Sequence, residues 1–203
     1  MRKTILLLLA SLCINASAGT MARYDGTRIF WDSRSPVTVF NGGGYARLIE
    51  LQDGRLLACC ESGGIKISFS SNKGQTWTSP KLIAPNSNNT PNCVPDLIQL
   101  ADGTIVVGYN PRPSQPYTED RRFGIRVRRS TDNGKTWSDE IFVYDADYTF
   151  ENGCWEPSFL QLPSGELQLY FADESPFKHN GDQQISLCRS SDGGLTWTAP
   201  KRV

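Results

Sequence analysis

The 203-residue chain has one histidine, His179, and no pair of cysteines at C-x-x-C spacing. Without a histidine pair or that cysteine spacing there is no ligand set for zinc, so the sequence assigns no metal and no cofactor. Net charge is also lacking, because 21 basic residues balance 21 acidic ones. Nothing in that balance attracts a polyanion, and nucleic acid is not an expected partner. Long apolar runs are missing as well. The stretch from Ile5 to Leu12 is less than half of the roughly 20 residues that cross a bilayer, and no later stretch comes close, so no membrane span is expected. Beyond it, no segment carries a convincing helical pattern.

The N-terminus itself is informative. Arg2 and Lys3, the apolar run and the small-residue triplet Ala16-Ser17-Ala18 give the three parts of a cleavable signal peptide, expected to span residues 1–18. The mature protein is then secreted or periplasmic. Removing Arg2 and Lys3 with no acid takes the formal charge from zero to −2. Cys59, Cys60, Cys93, Cys154 and Cys188 remain, an odd number that cannot pair completely within one molecule; buried free thiols are the expectation.

The dominant signal is a repeat. S-x-[DN]-x-G-x-T-W occurs at 70–77, 130–137 and 190–197, with Asn72, Asp132 and Asp192 spaced 60 residues apart. Each copy reads as a tight turn between strands. The Asx side chain bonds the following backbone, glycine tolerates positive φ, and the tryptophan packs into the sheet. These acids are therefore structural. Before each turn lies an apolar stretch closed by Asp53-Gly54, Asp102-Gly103 or Ser164-Gly165, a hairpin signal. A continuous apolar strand follows (Leu56 to Cys60, Ile105 to Tyr109, Leu167 to Ala172), then an alternating one (Ile65 to Phe69, Ile125 to Arg129, Ile185 to Arg189), then the turn and a fourth. Four antiparallel strands per 60-residue unit describe a propeller blade. The fold class is all-β, and about three blades are present where a ring needs about four to eight. Thr198 to Val203 repeats Thr78 to Ile83, where a fourth strand is only starting, so residues 19–203 are expected to be the N-terminal half of a longer propeller lacking its C-terminal blades.

Aligning the units on their hairpins sets Tyr45-Ala46-Arg47-Leu48 over Val94-Pro95-Asp96-Leu97 and Glu156-Pro157-Ser158-Phe159. The first strand of a blade is normally innermost, so these starts converge on one mouth of the channel. Arg47, Asp96 and Glu156 are the candidate site, Glu156 lying two positions earlier and so on the same strand face if alternation holds. Trp155 and Pro157 flank Glu156 in a way that suits acid or nucleophile chemistry. Asp96 suits a second acid or a hydrogen bond to a loop, and Arg47 suits a carboxylate, a sugar hydroxyl or a central acid. Asp173-Glu174 is a candidate rim pair more in keeping with solvation. His179 reads as a surface-loop residue, and the insertion Pro111 to Arg122, which carries Arg112, Tyr117, Glu119, Asp120, Arg121 and Arg122, reads as a blade-edge loop suited to ligand binding or, nearly as well, as a charged solvated loop.

The repeat resembles the Asp boxes, or BNR repeats, of the sialidase-like superfamily of six-bladed β-propellers, over nearly all of residues 41–203. The sialidases of that superfamily open their first blade with Arg-Ile-Pro, where this chain has Gly44-Tyr45-Ala46, and place arginine and an acid where Cys60 to Gly64 stand. Tyr45-Ala46-Arg47-Leu48, the Asn92 to Leu100 strand, Trp155-Glu156-Pro157 and Tyr170 to Glu174 are more similar to the exo-acting α-L-arabinanases, in which two glutamates cleave the glycosidic bond with retention. The resemblance implies a secreted hydrolase of polysaccharide or oligosaccharide. Glu156 and Asp96 would then be catalytic, with Arg47, Tyr45, Asn92, Trp155 and Glu174 binding substrate, and the second glutamate would come from beyond Val203. An exo-α-sialidase and a non-catalytic glycan- or protein-binding propeller are the alternatives.

Overall fold

The computed structural model describes residues 23, 24, 26–28, 30, 36–178 and 180–203. The expected signal peptide and His179 lie outside the described residues. The chain divides into two units, Met1–Val37 and Thr38–Val203. In the first, β1 (Arg23–Tyr24) pairs antiparallel with β2 (Thr27–Arg28).

The second unit is built of three four-stranded antiparallel sheets, each a meander in sequence order. The first comprises β3 (Gly44–Glu50), β4 (Leu56–Glu61), β5 (Gly64–Ser70) and β6 (Lys81–Pro85). β7 (Asn92–Gln99), β8 (Ile105–Pro111), β9 (Gly124–Ser130) and β10 (Ile141–Asp145) form the second. The third holds β11 (Cys154–Gln161), β12 (Leu167–Asp173), β13 (Gln184–Ser190) and β14 (Lys201–Arg202), preceded by a short 3-10 turn at Phe150–Asn152. The expected strands are all present, most of them longer by a residue or two. No described helix is long and apolar enough to cross a membrane.

The apolar second strand of each unit is central because both its faces are covered. β8 is buried along its whole length. One core lies between the first and second sheets, with Leu57, Ile65, Ile67, Leu97, Ile105 and Tyr109. Another lies between the second and third, with Ile125, Val127, Trp155, Leu169, Phe171 and Cys188. The first strands touch one another in series, β3 with β7 and β7 with β11. A glutamine reinforces that series. Gln99 accepts the Gln52 N–H at 2.7 Å, and the equivalent Gln161 accepts the Ala101 N–H at 2.9 Å. Each side-chain amide also donates to the carbonyl of its own hairpin glycine, Gly103 or Gly165. The same bond thus sets the sheet-to-sheet offset twice.

The three turns are near copies. In each, the serine hydroxyl donates to the Asx carboxylate or amide oxygen and accepts the N–H of the glycine at 2.8 Å. The Asx oxygen accepts the threonine N–H, and the tryptophan indole N–H closes on the glycine carbonyl at 3.1–3.2 Å. Thr136 and Thr196 also donate their hydroxyls to Asp132 and Asp192. Hydrogen bonds from Thr136, side chain first, hold the Asp132 carboxyl down at about 2. At Asp192, burial pushes upward, but the Thr196 and Ser190 bonds outweigh it and the value is again about 2. Trp137 and Trp197 extend the two inter-sheet cores rather than packing only on their own sheet.

Candidate functional site

The first strand of every sheet is interrupted near its start. Pairing slips between Gly44 and Arg47, between Cys93 and Asp96, and between Trp155 and Ser158. Each slip inserts one extra residue, a β-bulge, and each contains a non-glycine residue in the left-handed region: Tyr45 at φ 49°, Val94 at φ 43° and Glu156 at φ 59°. A β-branched residue with positive φ is uncommon, and such positions cost about 1–3 kcal/mol each. The signal for the second and third bulges stood in the sequence. Pro95 and Pro157 cannot donate to a ladder, and proline inside a sheet is confined to edges and bulges.

The bulge corrects one sequence expectation. Simple two-residue alternation puts Glu156 on the face of Arg47 and Asp96, but an inserted residue breaks alternation. Arg47 pairs with Cys59 and Asp96 with Gly108, and the residue in the corresponding register is Ser158, opposite Tyr170. Glu156 occupies the left-handed position held by Tyr45 and Val94. It is exposed, and among the described residues its carboxylate makes no hydrogen bond or ion pair, so it is free to meet a ligand.

Around it, three sheets are tied by carboxylates. Asp96 accepts the Phe159 N–H of β11 at 2.9 Å and faces the Arg47 guanidinium of β3 at 3.9 Å. Glu61, at the end of β4, accepts the Val94 N–H at 2.7 Å and holds the second bulge. Arg47 and Asp96 are therefore brought together. The Asp96 carboxylate spends one oxygen on the backbone, the hydrogen-bonding role its sequence position allowed.

The other candidates divide. Trp155 is buried beside Glu156, its ring 5.2 Å from Phe123 and 4.9 Å from Phe150, with the Arg112 guanidinium 4.9 Å above it. Arg112 is a residue that sequence reasoning left in the charged insertion. The structure pins it to Asn110 and stacks it on the tryptophan next to Glu156. Tyr45 is exposed at the first bulge. Asn92 is buried, and its amide donates to the Pro85 carbonyl at 2.9 Å, tying the start of β7 to the end of β6 in the first sheet. Asp173 and Glu174 separate: Asp173, expected to be solvated, is buried and accepts bonds from Ser175 and Ser186, with Tyr144 also in reach. The reason is that β12 runs one residue further than its apolar run, so Asp173 pairs with Cys154 and Gln184 inside the sheet. Glu174 stays at the surface, held by Gln183 at 2.8 Å.

The five described cysteines are free thiols, all buried except the half-buried Cys93. Burial pushes Cys93 up to about 11 and Cys188 to about 12, which makes them poor nucleophiles. Among the described residues no group of three or more His, Cys, Asp or Glu side chains is arranged to hold a metal ion.

Comparison with known proteins agrees with this architecture. The BNR repeat-like domain model matches residues 118–203. A sialidase of Micromonospora viridifaciens is 29% identical over 136 residues, covering 60% of this chain and 21% of its own. One from Paraclostridium sordellii is 27% identical over 162 residues, covering 70% and 38%. Repeats, sheets and matches together point to one class: the chain is similar to the sialidase-like superfamily of BNR-repeat proteins.

Within that class, arabinan-directed enzymes are among its structural neighbours. An α-L-arabinofuranosidase of Fusarium graminearum in complex with an iminosugar inhibitor superposes with a TM-score of 0.63 at 25% identity, over 78% of this chain and 47% of that one. Another structure of the Fusarium graminearum α-L-arabinofuranosidase, with arabinobiose, gives 0.65 at 24%, over 83% and 51%. The chain spans about half the length of these structures and less than two fifths of the curated relatives.

Proposed function

We propose that this chain carries one catalytic carboxylate of a secreted glycoside hydrolase that works from the end of an arabinan-type polysaccharide, with further blades completing a six-bladed ring. One observation carries the reading. Glu156 is an exposed carboxylate, unpaired among the described residues, placed on a strained bulge beside a buried tryptophan on which Arg112 stacks, where the first strands of three sheets meet. Strained non-glycine residues concentrate at functional sites because strain is kept only where geometry is needed. Retaining hydrolysis takes two carboxyl groups about 5 Å apart, one attacking the anomeric carbon while the other protonates the leaving oxygen. Glu156 supplies one, and its partner comes from polypeptide outside these residues. Arg47 and Tyr45 contact the sugar, and Asp96 orients Arg47 while anchoring β11. The arabinobiose bound by the Fusarium structure supports the substrate class.

The test is hydrolysis of linear arabinan by the full-length protein. Glu156→Gln is expected to lower turnover by at least ~10²-fold, and turnover within a few-fold of the parent removes the assignment. A sialidase is the second reading, favoured by the curated relatives; turnover of a sialyl substrate above that of arabinan would establish it. A binding-only propeller predicts sugar affinity without product, lost on Trp155→Ala. Export is checked by N-terminal sequencing of the mature product, expected to begin at Gly19.

A further inference from the structure

A second concave site lies at the same end of the third sheet. The 3-10 turn Phe150–Asn152 enters β11 just before the bulge, and Glu174 leaves β12 opposite it, its N–H donating to the Gly153 carbonyl at 3.0 Å. Between them is a cavity of about 570 Å³ lined by Thr149, Phe150, Glu151, Asn152, Glu174 and Gly181. That size falls in the range of small-ligand sites.

Its walls have the chemistry of sugar recognition. Phe150 leaves 54% of its surface exposed, an unusual display for an aromatic ring, and it is held by packing against Trp155 at 4.9 Å and Phe123 at 6.2 Å. A ring fixed from behind offers a flat apolar face at little entropic cost, which suits the C–H face of a sugar. Asn152 is 93% buried, its amide nitrogen is satisfied by the Thr149 hydroxyl at 3.0 Å, and its amide oxygen has no partner among the described residues. Buried polar atoms are seldom left so. Glu151 and Glu174 add carboxylates at the rim, and no basic residue is among the described lining residues. An acceptor-rich wall with no cation among the described lining residues favours a ligand rich in hydroxyl donors and disfavours an anionic one.

We propose that this cavity is a subsite for a neutral sugar unit of the glycan, on the same strand entry as Glu156 and excluding acidic sugars such as sialic acid. The proposal rests on the glycan-acting reading and narrows it. The Phe150–Trp155 stack joins the two sites, because the tryptophan that walls the subsite from behind is the residue preceding Glu156.

The experiment is saturation-transfer NMR on the full-length protein with arabinotriose and, separately, 3′-sialyllactose, on the parent, Phe150→Ala, Glu174→Gln and Glu156→Gln. Arabinotriose should bind the parent and Glu156→Gln alike, and bind Phe150→Ala and Glu174→Gln at least fivefold more weakly. Glu174→Gln removes the charge of a half-buried side chain but keeps its size and an oxygen for the Gln183 bond, so it tests the site even if Phe150→Ala unfolds. Unchanged affinity in Glu174→Gln and in a folded Phe150→Ala, no binding of arabinotriose to the parent, or equal or tighter binding of 3′-sialyllactose overturns the subsite. The catalytic reading falls on a different result, namely turnover that survives Glu156→Gln.

Discussion

The three tryptophan-closed turns and the three first-strand bulges recur with one step along the chain. In the turns the same side chains make the same bonds, serine to Asx, threonine N–H to Asx, indole to glycine carbonyl. In the bulges the backbone recurs while the residues do not: Tyr45, Val94 and Glu156 share the left-handed position, and Arg47, Asp96 and Ser158 share the position two residues on, where pairing resumes. A turn that only joins two strands has one good solution, and each copy uses it. The bulge supplies a rigid frame on which different side chains are presented to a shared space. Repetition of chemistry therefore marks structure in this molecule, and repetition of backbone with changed chemistry marks the candidate site.

The largest expected effect breaks the equivalence of the turns themselves. Gly134 and Gly74 both have φ of 83°, but a Cβ on Gly134 would sit 2.4 Å from the Phe69 ring, whereas on Gly74 its nearest neighbour is at 3.6 Å. Gly134→Ala should destabilise by more than ~2 kcal/mol, from strain plus overpacking, and Gly74→Ala by about 1 kcal/mol from strain alone. Denaturant midpoints at a common slope measure both, and equal losses would mean that the turns are interchangeable.

Next in size is Ser130→Ala. It removes a buried hydroxyl that donates to Asp132 and accepts the Gly134 N–H, leaving that N–H orphaned at a cost of about 1–3 kcal/mol. Thermal unfolding checks it.

At the bulges the sign reverses. Glu156→Gly relieves a left-handed φ without removing a bond, and it should stabilise by about 0.5–1 kcal/mol while abolishing arabinan hydrolysis. A loss of stability would show that Glu156 belongs to the fold rather than to the site.

The smallest effect is electrostatic and confined to two turns. Asp132 and Asp192 titrate near 2 in the folded protein against about 4 when unfolded. A depressed folded value means stabilisation present above pH ~4 and lost as pH falls through about 2. Asn72 already fills the same place uncharged, so Asp132→Asn should fold normally and unfold less steeply in acid, the gap to the parent closing between pH ~4 and ~2.

Much of this fold was legible residue by residue. The S-x-[DN]-x-G-x-T-W turns, the hairpin glycines and the unbroken apolar runs are local signals, because a turn or a doubly buried strand depends mainly on its own few residues. The bulges were half legible: Pro95 and Pro157 announced them, but reading the strands as strict alternation placed Glu156 in register with Arg47 and Asp96. Asp173 was misjudged, and Arg112 was not singled out within its insertion, because their settings are made by residues outside their own strands or loops: Ser175, Ser186 and Tyr144 for one and Trp155 for the other.

By itself, the sequence determined the all-β class, the four-strand unit, its 60-residue step and the choice of Arg47, Asp96 and Glu156, since each follows from spacing and from the conformations that Gly, Pro and Asx allow. Only the tertiary structure decided which of these residues meet. Asp96 is joined to Arg47 on one side and the Phe159 N–H on the other, Glu156 is left without a partner among the described residues, and Phe150 is held against Trp155. These outcomes depend on how neighbouring sheets are offset. That offset is fixed by packing and by the Gln99 and Gln161 bonds between sheets rather than by the pattern within any one strand.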